Sequence, residues 1–176
     1  MIAERAAGKP LATLYEQRII KPLGLTSTAY DPQGEITGPH PHGYDLQTDG
    51  ALTDTTGWGT GGTAAAAGIV SDAADEARFL DALMHGALIG PAELHAMETP
   101  STASAPTPYG LGLTIDAGLC GTTAYGHSGA GSSSTTDVLV SGDARRTVVL
   151  LLNGRTADSH SDAVAHAATI QLYCNA

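Results

Sequence analysis

Hydrophobic positions along this chain change their period near residue 109. Before that point they recur at helical spacing, and after it they alternate in twos. Met1 to Ala7 has helical propensity and no N-cap in front of it, with Gly8 placed as a C-cap and Pro10 opening the next helix. Leu11, Leu14, Tyr15 and Arg18 predict a helix over Pro10 to Ile20, stopped by Pro22-Leu23-Gly24-Leu25. Residues 31 to 63 carry Pro, Gly, Asp and Thr throughout and read as a long irregular excursion, a length that usually serves function. Ser71 is the expected N-cap of the clearest helix, with Asp72, Asp75 and Glu76 favouring its dipole. Phe79, Leu80, Leu83 and Met84 form its apolar stripe and Gly86 ends it. A short helix is expected from Pro91 through Met97, closed by Pro100.

Strands are expected at 109–115, 121–127, 137–141 and 147–153. The last, Thr-Val-Val-Leu-Leu-Leu-Asn, is continuously apolar and is expected to be buried on both faces. Ser141-Gly142-Asp143 reads as a hairpin turn, and a final helix opens at Ser161 or Asp162 and ends near Cys174. Helices, then a meander, then a helix make an α+β domain with an antiparallel sheet and flanking helices. The whole of 1–176 reads as one domain: 1–108 mostly helix and loop, 109–176 antiparallel strands plus the C-terminal helix.

Composition narrows the partners. With 176 residues, 42% of them hydrophobic, the chain can bury a core. It has no apolar run long enough for a membrane-spanning helix. A formal charge of -10 with only 8 Lys and Arg would repel nucleic-acid phosphates and anionic membrane surfaces. The two cysteines, Cys120 and Cys174, are either buried thiols or one disulfide. A bridge would close a loop of about 53 residues, worth roughly 4 kcal/mol on the chain-entropy model.

Candidate chemistry concentrates in Tyr125-Gly126-His127-Ser128-Gly129-Ala130-Gly131 at the end of the second strand. An imidazole there can assist proton transfer, a hydroxyl can bond a substrate carboxylate, and a glycine lets substrate backbone approach. The N–H of Ala130 can serve as half of an oxyanion hole. Other stretches join this one: Leu14-Tyr15-Glu16 through Pro22-Leu23-Gly24-Leu25-Thr26-Ser27-Thr28, Ala67-Gly68-Ile69-Val70-Ser71, and Tyr109-Gly110-Leu111-Gly112-Leu113. In this order and spacing the chain resembles the serine β-lactamase-like and penicillin-binding family, nearest to D-alanyl-D-alanine carboxypeptidases and class C β-lactamases.

The resemblance implies acyl transfer by three elements: Ser-x-x-Lys for nucleophile and base, Tyr-x-Asn for proton movement and substrate binding, and a third box. Only the third is matched, as His127-Ser128-Gly129. The two lysines, Lys9 and Lys21, follow Ala6 and Arg18 at three residues, so no Ser-x-x-Lys occurs. Tyr173-Cys174-Asn175 stands in the wrong order and is read as chance. The resemblance implies a partial β-lactamase/transpeptidase-like fold, its N-terminal part missing, beginning just after the second motif. It gives His127 proton-transfer support, Ala130 an oxyanion N–H, and Ser128 and Gly129 substrate contact. It places Trp58, in Gly57-Trp58-Gly59-Thr60-Gly61-Gly62, on a loop overhanging the site. It also implies that Cys120 and Cys174 are bridged, in a secreted or extracytoplasmic parent protein. A carboxylate-binding arginine expected of carboxypeptidases has no counterpart in Thr114-Ile115-Asp116, which leaves esterase, amidase and peptide-cyclase relatives open.

Other residues read more plainly. His40-Pro41-His42 lacks a third ligand at zinc-like spacing and reads as a solvated loop, so no metal is expected. The glycine run around Trp58 lacks the strand-before, helix-after setting of a nucleotide site. Asp54, Asp116 and Asp143 read as turn residues, and His85 and His95 as surface positions on helices. No cofactor is implied. The expected partners are a small peptide, β-lactam or ester substrate of the parent enzyme. A free sheet edge also implies self-association or completion by an N-terminal fragment, and a non-catalytic binding module is the alternative from another class.

Overall fold

A computed structural model of the chain describes residues 2–31, 36–57, 66–101, 108–131, 134–156 and 160–176. The chain opens with α1 (Ile2–Ala7) and α2 (Leu11–Tyr15). The Glu4 carboxylate of α1 reaches forward and accepts the Leu11 N–H at 3.0 Å, capping a helix whose N-cap, Pro10, supplies no side chain for the purpose. Helical backbone then continues as a π-turn, Glu16–Ile20, and as α3 (Lys21–Leu23).

Pro22 therefore does not stop the helix, as expected from sequence, but sits in its last turn. The π-turn is the reason: Lys21 N–H bonds back to the Glu16 carbonyl, so the ladder has already slipped where proline would break it. The stop comes at Gly24, in the left-handed region at φ 62°. Its N–H bonds to Lys21 O (3.1 Å) and that of Leu25 to Ile20 O (3.0 Å), a Schellman closure with Leu25 and Ile20 both buried.

The 31–63 stretch is not wholly irregular. It contains β2 (Tyr44–Leu46) and β3 (Leu52–Asp54), a hairpin turned at Asp49-Gly50, with Gly50 at φ 85°. β2 also pairs in parallel with β9 (Gly154–Thr156), giving a three-stranded sheet ordered β3-β2-β9. A smaller pair joins β1 (Ala29–Tyr30) to β4 (Ile69–Val70).

Next come α4 (Ala73–Met84) and α5 (Pro91–Glu98). The N-cap of α4 is Asp72, whose carboxylate accepts the Asp75 N–H at 2.9 Å. Ser71, expected to cap, stands one residue outside and shares a hydrogen bond with Thr28 at 2.8 Å. Asp75 is buried and accepts from Ser27 N–H (2.8 Å), the Thr28 hydroxyl (2.9 Å) and Arg78 Nη1 (2.9 Å). One carboxylate thus ties the segment after α3 to the first turn of α4.

The main sheet is antiparallel and ordered β5-β6-β7-β8: β5 Thr114–Leu119, β6 Thr122–Ala130, β7 Thr135–Ser141, β8 Thr147–Leu152. Tyr109 to Leu113 is not the start of the first strand. Tyr109 makes an isolated bridge to Thr114, and Gly112 at φ 79° turns the chain, so the apparent alternation came from glycines rather than from a pleat. Strand β7 is buried along its length. Val138 and Val140 pack against Leu80 and Met84 of α4, while Leu139 packs against Tyr173 of α6 (His160–Asn175). The all-apolar β8 is only half-buried, with Leu151 39% exposed, because it is the sheet's edge strand rather than a central one. The turn before it spans five residues, with Ser141 donating to Asp143 (2.6 Å) and accepting the N–H groups of Arg145 and Arg146.

A disulfide joins Cys120, in the β5–β6 turn, to Cys174 in the last turn of α6, with Cα atoms 5.5 Å apart. Beside it Tyr173 is fully buried, its hydroxyl 2.7 Å from that of Thr122 and its ring under Arg146. Of the expected turn aspartates only Asp143 lies in a turn; Asp54 ends β3 and Asp116 is inside β5. Replacing Asp75 with Ala should cost about 2 kcal/mol, because it removes the buried acceptor of three hydrogen bonds at once. Chemical denaturation read against the wild type checks this, and a loss under about 1 kcal/mol would remove Asp75 as a tie.

Candidate functional site

His127, Ser128, Gly129 and Ala130 are the last four residues of β6, and all four are exposed. The strand runs three residues further than the sequence predicts, so the triplet lies within the ladder rather than beyond it. His127 pairs with Val138, Ser128 with Asp137, Gly129 with Thr136 and Ala130 with Thr135. The ladder continues past Gly126, which lets two backbones run close. A Cβ on Gly126 would collide with the Val138 carbonyl oxygen.

Strand geometry decides where the amides point. Gly142 N–H donates to Thr123 O (3.0 Å) and Gly131 N–H to Ser134 O (2.8 Å), so the odd-numbered residues of β6 bond to β7. Backbone bonds alternate sides along an antiparallel strand. The N–H groups of Ser128 and Ala130 therefore face the β5 side, where pairing ends at Thr114 with Gly126. Among the described residues no strand pairs with either amide on that side.

His127 is held by a contact that linear spacing hides. The Tyr109 hydroxyl lies 2.9 Å from His127 Nε2, with the rings edge-on at 5.8 Å between centroids. The bridge of Tyr109 to Thr114 and the pairing of Thr114 with Gly126 bring the phenol beside the imidazole. Nδ1 of the same ring contacts the Ser128 carbonyl oxygen. At the far end of the strand, Arg155 Nη1 reaches the Gly131 carbonyl at 3.5 Å, a rim residue that no sequence pattern marked.

His127, Ser128 and Gly129 line an open cavity of about 430 Å³ between the sheet and the helical layer. Tyr15, Ile20, Leu25, Phe79 and Leu83 supply much of the opposite wall, with Glu76 among them. Burial, and then the charge of Asp72, hold the Glu76 carboxyl above the usual carboxylate range. Burial likewise raises the Tyr15 phenol, with Tyr30 adding to it.

The other candidates fall elsewhere. Trp58 lies outside the described residues. His85 and His95 are exposed on α4's end and on α5, away from this cavity's lining. His42 Nδ1 sits 2.7 Å from Asp54, whose carboxyl is pulled down to about 2, first by the Thr56 hydroxyl and N–H and then by His42. Among the described residues no three His, Cys, Asp or Glu side chains gather as a metal set, and no helix is long and apolar enough to cross a membrane.

The α+β core carries an exposed His-Ser-Gly strand end beside an apolar cavity. The Beta-lactamase family model matches residues 1–171, and the chain belongs to that family. A D-stereospecific amidohydrolase from a Streptomyces species superposes with a TM-score of 0.79 at 28% identity, over 87% of this chain and 46% of that one. The D-amino acid amidase of Ochrobactrum anthropi SV3, solved with D-phenylalanine, gives 0.75 at 25%, over 91% and 50%. A penicillin-binding protein of Bacillus halodurans shares the fold, with 0.77 at 19% over 98% and 52%. The chain thus spans about half the length of the structures it matches.

Two measurements check the site. Gly126→Ala should cost about 3 kcal/mol, since the new methyl meets backbone rather than a movable side chain; unchanged stability would mean the strands are not this close. A carboxyl NMR titration of Asp54 should give a midpoint near 2. Its contribution to stability is then complete above the unfolded value near 4 and is lost as pH falls through about 2. Thr56→Val should move the midpoint up, and no movement would remove Thr56 as the cause.

Proposed function

We propose that this chain supplies the third-box side of a serine hydrolase that cleaves amide, peptide, β-lactam or ester bonds through an acyl-enzyme. The supporting observation is the β6 end, with His127 braced by Tyr109, with His127, Ser128 and Gly129 lining the cavity, and with the Ala130 N–H on the β5 side beyond the last β5–β6 pair. In this reading the Ala130 amide stabilises the oxyanion and His127 assists proton transfer to the leaving group. Ser128 bonds a substrate carboxylate or amide, Gly129 allows close approach, and Trp58 covers the substrate. The attacking serine, its lysine and the tyrosine of Tyr-x-Asn are not among these 176 residues. The two amidase-type neighbours favour amides of D-amino acids over carboxypeptidase substrates, in keeping with the missing arginine. The disulfide supports an extracytoplasmic setting.

Completion by another chain is the second reading. It is favoured by β8, which pairs on one side only among the described residues and leaves Leu151 exposed.

Intact mass spectrometry after incubation with a penicillin and with a D-phenylalanine ester tests both. The 176-residue chain should carry no adduct, whereas a longer or complemented form bearing Ser-x-x-Lys should be acylated. In that form His127→Ala should lower kcat/KM by about 100-fold. An adduct on the chain alone, or none on the completed form, would overturn the proposal.

A further inference from the structure

A second cleft lies at the other end of β6, where about 17 Å of strand separates Thr122 from His127. Its volume of about 370 Å³ falls within the range of small-molecule sites, roughly 300–1,000 Å³. Thr122 lines one side, and the β7–β8 turn lines another through Ser141, Asp143, Arg145 and Arg146. Ala176, just after α6, closes it. The acyl-transfer reading makes no use of this place.

The cleft gathers two of the eight Lys and Arg in a chain of charge -10. Arg145 is balanced: its side chain is exposed, with Nε 3.8 Å from the Asp143 carboxylate. The Ser141 hydroxyl, and then the Arg145 N–H, hold that carboxyl below its usual range, so it stays ionised. Arg146 is not balanced. Its guanidinium stacks on the fully buried Tyr173, 4.9 Å from the ring centroid. None of the guanidinium nitrogens has a hydrogen bond or ion pair among the described residues, and Nη1 is sealed from solvent.

Stacking on an aromatic face fixes the plane of a guanidinium and leaves its edge for hydrogen bonds. A donor withdrawn from water without a partner lowers stability. A methionine would cover Tyr173 without stranding a charge, so packing alone does not account for the arginine. A rigid, partly desolvated cation attracts an acceptor more strongly than one in water. With Asp143 set against Arg145, one positive charge is left over, which suits a single negative charge and disfavours a dianion.

We infer that this cleft binds a small monoanionic carboxylate, its two oxygens on the Arg146 fork and its body between the β7–β8 turn and the end of α6. A free small acid and a peptide terminus present the same bidentate acceptor. The cleft is apart from the reactive strand end, so this inference stands or falls independently of the acyl-transfer reading.

NMR titration of the 176-residue chain, in buffer free of carboxylate and phosphate, tests it by following the Arg146 Nε–H and the amides of Thr122 and Thr147. The probes are propionate, propionamide, N-acetylglycylglycine and inorganic phosphate. Propionate should bind at least about tenfold more tightly than propionamide, and phosphate more weakly than propionate. Tighter binding of N-acetylglycylglycine than of propionate identifies a peptide terminus, and equal or weaker binding a free acid. Arg146→Gln should cut propionate affinity at least about tenfold, and Arg146→Lys, which keeps the charge but not the fork, about threefold. Asp143→Asn leaves the Tyr173 stack in place and should raise propionate affinity about threefold by removing a competing charge. No shift with any probe, equal binding of propionate and propionamide, or a preference for phosphate would overturn the inference. So would unchanged propionate affinity in Arg146→Gln or in Asp143→Asn.

Discussion

The burial of β7 on both faces is the constraint from which the rest of the molecule follows. Val138 and Val140 point to α4, and Leu139 points to Tyr173 on α6, so each helix is held by alternate residues of one strand. A strand clamped in this way has little freedom in register, because a slip of one residue would exchange its two faces. Its partner β6 inherits that register. His127 lies opposite Val138, and the Ala130 N–H faces outward, because Leu139 must lie against Tyr173. Function at the strand's end is therefore set by packing at its middle. The disulfide and the Thr122–Tyr173 hydrogen bond fasten the opposite end of the same strand.

Two kinds of residue share the helical wall of the cavity. Asp75 is a buried carboxylate that accepts from Ser27, Thr28 and Arg78, and it joins the segment after α3 to α4. Glu76 follows it directly and has no such donor among the described residues. Neighbouring residues on a helix point about 100° apart, so although both line the cavity only Asp75 meets the protein's own donors. The same acidic pair thus does structural work through Asp75 and places the Glu76 carboxylate on the cavity wall.

Much of the architecture could be read from the chain. The α+β class, the order of helices before a meander, the last three strands of the main sheet and the pairing of Cys120 with Cys174 all appear in the structure, whereas the first strand begins five residues later than expected. What escaped has physical causes. The β2–β3 hairpin is only three residues on each side, too short for alternation to show, although Asp49-Gly50 was a legible turn cue. Pro22 inside a helix depends on a π-turn, which single-residue propensities do not register. The half-exposed state of β8 depends on strand order, which no run of apolar residues reveals. At the site, His127 to Ala130 were legible as a motif, whereas the Tyr109 contact arises from register across two pairings and Glu76 from a face that only the fold defines.

The parallel pairing of β2 with β9 has a consequence for how the chain reaches this state. Tyr44 lies beside Gly154, so the ladder closes a loop of more than a hundred residues, and its three strand residues repay that closure poorly. The meander β5–β8 and α6 connect neighbours along the chain and form without such a penalty. The small sheet should therefore assemble last during folding and open first under stress. Because Arg155 on β9 touches Gly131, the rim next to the reactive strand would be the last part of the molecule to become ordered.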